Sequence, residues 1–129
     1  MASELRVNTL KDAAGNNSIA TSVVASGSAK AWVNFNGTGT VAIREDSNVA
    51  SITDEGTGDY TVNFTAALTD VNYCTNVTSD SSSKTASARS PTTHTLGTTS
   101  SVRVGIYNNA AGTHQDCAVV NVGIQGDLA

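Results

Sequence analysis

The sequence predicts an all-β protein, an antiparallel β-sandwich preceded by an extended N-terminal arm. Three observations carry that prediction. Apolar residues recur at every second position in several short runs, and Gly- and Asn-rich turns separate those runs. No segment shows the three-and-four spacing of a convincing amphipathic helix.

The arm comes first, over residues 1–29. Leu5, Val7 and Leu10 form a short apolar patch, DAAGNNS interrupts it, and SVVASGS follows. The patch is too short and too polar to stand as a helix. It reads as extended or short-helical chain that orders where it docks, and it marks Leu5, Val7 and Leu10 as docking residues. The sandwich is expected over residues 30–129. In KAWVNFN, Ala31, Val33 and Phe35 share one face, with Trp32 and Asn34 on the other. Gly37-Thr38-Gly39 turns the chain, and Val41 and Ile43 resume the apolar face. Val49 and Ile52 belong to a further strand, and DEGTGD supplies a tight turn whose glycines tolerate positive φ.

Tyr60, Val62 and Phe64 then alternate, followed by Tyr73, Thr75 and Val77 with Cys74 opposite. Residues 79–100 hold almost nothing apolar beyond Leu96. They read as a long loop, or as a loop around an edge strand near Lys84–Arg89. Alternation returns with Val102, Val104 and Ile106, NNAAGT turns, and Ala118, Val120, Val122 and Ile124 are expected to face inward. Cys117 would fall on the opposite face, so both cysteines are expected to point away from the apolar stripes.

Composition narrows the function. The chain has 129 residues, a formal net charge of -4 and only 14% charged residues. Its seven Lys and Arg are scattered, which excludes the basic stripe that a phosphate backbone rewards. No apolar run is long enough to span a membrane, and MASELRVNTLKD lacks the apolar stretch of a signal peptide. Synthesis in a cytoplasm is therefore expected. There, Cys74 and Cys117 are more at home as free thiols than as a bridge, although neighbouring strands would permit one. With one Trp, two Phe and three Tyr, the core is thin for a monomer, which is a motive for oligomerising.

Little in the chain invites catalysis. His94 and His114 fall in expected loops, and no Cys-x-x-Cys or His-x-x-x-His supplies a metal pair. His114-Gln115-Asp116-Cys117 is the one tight cluster, and it reads as a turn entering a strand. No Gly-x-Ser-x-Gly elbow is present, and the acids Glu45, Asp46, Asp54, Glu55 and Asp59 gather at expected turns. The glycine pairs 37/39 and 56/58 open no helix that could cradle a phosphate. The expectation is a protein that is not an enzyme, with no catalytic residues, no metal and no cofactor.

Four segments carry a resemblance. SELRVNTLKDAAGNNSIATS, GSAKAWVNFNGTGTVAIRE, VASITDEGTGDYTVNFTAAL and SVRVGIYNNAAGTHQDCAVVNVGIQGD resemble segments of tail-fibre and other virion proteins of marine tailed phages, including cyanophages. They cover most of the chain outside residues 79–100. The resemblance implies a jelly-roll-like sandwich knob, homotrimeric, anchored or intertwined through residues 1–29 and taking part in host attachment. It implies a virion location, contacts with other virion proteins through the arm, and a host surface glycan or protein as receptor. Lys84, Arg89 and His94 are then the expected receptor contacts. No long repetitive stalk precedes the knob, which favours a fibre tip or short appendage. Two alternatives stand beside it: a capsid decoration or vertex protein docked through the arm, and a lectin-like glycan-binding module.

Overall fold

The computed structural model describes residues 3–80, 86–89, 97–108 and 110–129. Among the described residues, nine strands form a four-stranded and a five-stranded antiparallel sheet, and two more pair as a separate ribbon. In chain order the elements are β1 (Thr9–Leu10), β2 (Ile19–Ala20), α1 (Thr21–Gly27), β3 (Ala29–Asn36), β4 (Ala42–Ser47) and β5 (Val49–Gly56). There follow β6 (Asp59–Phe64), β7 (Cys74–Asp80), β8 (Ala86–Arg89), β9 (Ser101–Asn108), β10 (Thr113–His114) and β11 (Val119–Gln125).

One sheet runs β4-β3-β11-β7; in the other, β5, β6 and β9 are successive neighbours and β8 pairs with β9. The two-residue β10 pairs with the end of β9 beyond β6. The arrangement is the expected all-β sandwich. One layer has four strands and the other five, and hairpins β3–β4 and β5–β6 pair chain neighbours within each layer.

Period-two alternation builds the core directly. Ala31, Val33 and Phe35 of β3 and Val120, Val122 and Ile124 of β11 face Tyr60, Val62 and Phe64 of β6 and Val102, Val104 and Ile106 of β9. All twelve are buried, and they join one cluster with Val49, Leu68 and Cys117. Phe35 and Tyr60 meet edge-to-face across the layers, their centroids 5.1 Å apart, a geometry that suits the ring quadrupoles.

Two polar knots fix how the layers meet. At one pole the buried Tyr60 hydroxyl lies 2.8 Å from the Gly37 carbonyl and 3.0 Å from Asp116 Oδ1, which also accepts the Gly58 N–H at 2.6 Å. A Cβ on Gly37 would lie 2.5 Å from the Tyr60 hydroxyl oxygen, so only glycine fits there. At the other pole a single residue, Asn48, carries the chain from β4 to β5. It adopts φ 58°, a left-handed conformation that Asn tolerates better than most residues. Its Nδ2 donates to the Lys30 and Ala66 carbonyls at 2.9 and 3.1 Å, and its Oδ1 accepts the Ala66 N–H at 2.7 Å.

The structure corrects the phase expected at 117–118. Cys117 is buried in the core and Ala118 is exposed, because β11 begins only at Val119 and the irregular link before it shifts the alternation by one residue. Cys74 is exposed as expected, and both thiols are free. They belong to opposite poles: Cys74 pairs with Gln125 at the end of β11, whereas the Cys117 carbonyl accepts the Gly37 N–H. The stretch 79–100 contains an edge strand, β8, paired with β9 from Ala86↔Asn108 to Arg89↔Gly105.

Candidate functional site

Two surfaces stand out, and the arm is the first. Its chain is ordered by local bonds. Asp12 Oδ1 accepts the backbone N–H groups of Ala14 and Asn16 at 3.1 and 2.8 Å, and Asp12 Oδ2 accepts the Asn17 side-chain amide at 2.8 Å. This knot turns β1 back on β2, where Leu10 pairs with Ile19. The seven-residue α1 follows and ends at Gly27, its side-chain faces bare: it contains no buried residue.

Leu5, Val7 and Leu10 all lie on this arm and are all exposed, Leu5 by 79%. Ile19, Val23 and Val24 join them. Sequence reading passed over these last three because Ser, Ala and Gly dilute them and their helix is too short to show a period. A two-stranded ribbon and a two-turn helix bury too little to be stable alone. Six large apolar side chains left in water on such a segment call for a covering surface.

The expected receptor contacts are Lys84, Arg89 and His94. Lys84 and His94 lie outside the described residues, and Arg89 is placed by its backbone alone, at the end of β8 opposite Gly105.

The second surface is the outer face of the β4-β3-β11-β7 sheet. Asn34, Asn121 and Thr78 are in register across β3, β11 and β7, and their side chains form a ladder: Asn34 donates to Asn121 at 2.6 Å, and Asn121 donates to Thr78 at 3.2 Å. Arg44 closes its end, contacting Asn34 Oδ1 at 3.4 Å and donating to the Ala118 carbonyl at 2.5 Å. In the next row Trp32, Gly123 and Asn76 are register partners. Trp32 is 40% exposed, although it stands on a central strand. Beyond it, Asn76 donates to Gln125 Oε1 at 2.6 Å. On the outer side of the opposite layer the polar side chains pair with one another, Arg103 with Asp59, Thr61 with Glu55, and Asn63 with Ser51 and Thr53.

The His114-Gln115-Asp116-Cys117 cluster serves the fold. Asp116 holds Gly58 and Tyr60, His114 packs edge-on against Tyr107 with centroids 5.4 Å apart, and Cys117 fills the core. Burial, then the hydrogen bond to Asp116, pushes the Tyr60 phenol well above its ordinary range; burial likewise raises the Cys117 thiol. Among the described residues no three His, Cys, Asp or Glu side chains gather to hold a metal. A wide-mouthed cleft of about 640 Å³ lies between α1 and the near pole, lined among others by Ala25, Lys30, Asn48 and Leu128. Comparison of the chain with family models, with curated proteins and with solved structures finds no match.

Proposed function

We propose that this chain is a virion structural protein: a β-sandwich knob of a phage tail fibre or appendage, homotrimeric through its N-terminal segment and used in host attachment. One observation carries the assembly part of this reading. Residues 3–28 stand outside the sandwich core, with every residue but Thr21 exposed and six large apolar side chains in water. Covering them with equivalent arms would stabilise both the arm and the trimer, at about 25 cal/mol for each Å² of apolar surface removed from water. The resemblance of the arm and the hairpin segments to virion proteins supplies the biological setting.

Light scattering on the full chain tests the oligomer. The expected mass is three times 13.1 kDa, falling to 13.1 kDa when Leu10, Val23 and Val24 are all changed to Ser. A wild-type monomer would overturn the trimer. The same exposed arm would also serve a decoration protein gripping a capsid. In that case the purified wild type is monomeric, and the triple variant loses its place on the shell. Antibody labelling of intact particles then decides whether the chain sits on tail or capsid, and failure to label any particle would sink the virion reading.

A further inference from the structure

We propose that the outer face of the β4-β3-β11-β7 sheet is a glycan-binding subsite, in which an uncharged pyranose stacks on Trp32 above Gly123 and bonds to the flanking carboxamides. The inference deepens the attachment reading, from which it takes its setting, but it stands on separate residues.

Gly123 is the first part of the argument. It sits in the middle of β11, a central strand with neighbours on both sides, where a glycine weakens the sheet and a β-branched residue would strengthen it. Its own surroundings do not require it: a Cβ built there meets nothing within 4 Å. What the missing side chain leaves is a gap. Its walls are fixed by register, Trp32 on one neighbouring strand and Asn76 on the other. Those two strands are two sheet spacings apart, about 10 Å, which is room for one sugar ring over the glycine.

The chemistry of the walls selects the occupant. A sugar ring presents weakly positive C–H bonds on one face and hydroxyls around its edge. The C–H face suits the negative face of an indole, and Trp32 is an aromatic side chain 40% exposed in the centre of a polar sheet face. The edge hydroxyls each need both a donor and an acceptor, which carboxamides supply together. Asn34 and Asn121 are held in place by their own ladder, and Asn76 is held by Gln125. An array fixed before binding loses little side-chain freedom when a ligand arrives.

Charge points the same way. Arg44 is engaged by Asn34 and the Ala118 carbonyl, and Lys30 turns away to the Ala25 and Ser28 carbonyls. The row of Trp32, Gly123 and Asn76 contains no ionisable group, so an uncharged polyhydroxyl ligand fits it better than an anion or a nucleic acid.

The test uses the full-length protein on a glycan array of neutral gluco-, galacto-, manno- and N-acetylhexosamine oligosaccharides, together with sialylated counterparts. Wild type, Trp32→Ala, Trp32→Phe and Gly123→Val are compared. Neutral glycans should bind wild type, at least about tenfold more weakly to Trp32→Ala and Gly123→Val, with binding largely kept in Trp32→Phe. Gly123→Val should keep or raise its urea midpoint, which separates a filled gap from a damaged fold.

Trp32 is the one tryptophan in the chain, so its emission should shift on titration of wild type with the strongest array oligosaccharide. Absence of array binding overturns the proposal, as does binding equal in wild type, Trp32→Ala and Gly123→Val. Preference for the sialylated series overturns the uncharged ligand. A Trp32 emission that shifts with protein concentration alone would assign the face to a second copy. Light scattering on the same samples keeps the two readings apart: a trimer without glycan binding refutes the subsite, and a monomer that binds through Trp32 refutes the trimer.

Discussion

Replacing Asn48 by Ala should cost the protein about 3 kcal/mol, because one residue serves two purposes at the β4–β5 corner. The Asn48 carboxamide makes three hydrogen bonds, to the Lys30 carbonyl, the Ala66 carbonyl and the Ala66 N–H. Each is worth roughly 0.5–1.5 kcal/mol net, and the site is half-buried, so about 2 kcal/mol is lost with the three. Alanine must also adopt φ 58° without a side chain that eases it, which adds about 1 kcal/mol. Glycine separates the two effects. Asn48→Gly loses the same bonds but accepts the left-handed backbone, so it should be less destabilised than Asn48→Ala by several tenths of a kcal/mol, after its larger unfolded-state entropy is counted.

Urea unfolding followed by far-UV circular dichroism measures this. With a slope of about 2 kcal/mol per M, the midpoint should fall by about 1.5 M for Asn48→Ala and by about 1.25 M for Asn48→Gly. A fall below about 0.3 M for Asn48→Ala would refute the claim that these bonds hold the corner. Asn48→Gly falling further than Asn48→Ala would refute the strain argument while leaving the bonds in place.

The buried phenol and the two thiols give further outcomes. The Tyr60 phenol is held above its usual value of 10.0, so above that pH the unfolded state releases a proton that the folded state keeps. Its contribution is fully present below pH 10 and is lost as pH rises further, by about 1.4 kcal/mol per pH unit. Tyr60→Phe should be less stable at pH 7 by about 2 kcal/mol, through the lost hydroxyl bonds, and should show a shallower alkaline decline; parallel declines for the two proteins would refute this. Cys74 should react promptly with a thiol reagent under native conditions, whereas Cys117 is 2% exposed and should react only on unfolding. Two fast thiols per native chain would contradict that assignment.

The alternating runs were the legible part of this sequence, since period two identifies a half-buried strand whatever its neighbours are. Ala31, Val33, Phe35, Tyr60, Val62, Phe64, Val102, Val104 and Ile106 all stand in the core that their spacing implied. Phase was lost at Cys117–Ala118, where an irregular link broke the count just before β11. Strand order was not legible, because alternation states which face is buried and not which strand lies beside it.

The sheet-face site was hidden for the same reason. Trp32, Asn76 and Gly123 are far apart in the chain, and only the pairing of β3 and β7 on either side of β11 brings them into one row. In the sequence, Trp32 was merely the outward residue of a strand, and Gly123 was a glycine among valines.

Strand β3 begins at Ala29, directly after the arm, and Trp32 lies only three residues further along. If the arm is the anchor and the sheet face around Trp32 the point of grip, tension enters the sheet along β3 and passes from it to the neighbouring strands. Both flanks of β3 are laddered, to β4 over Trp32–Asn36 and to β11 over Ala29–Phe35. A pull along the strand therefore shears those backbone bonds together instead of peeling them open one after another. A load applied this way runs along the mechanically stiffest direction that an antiparallel sheet offers.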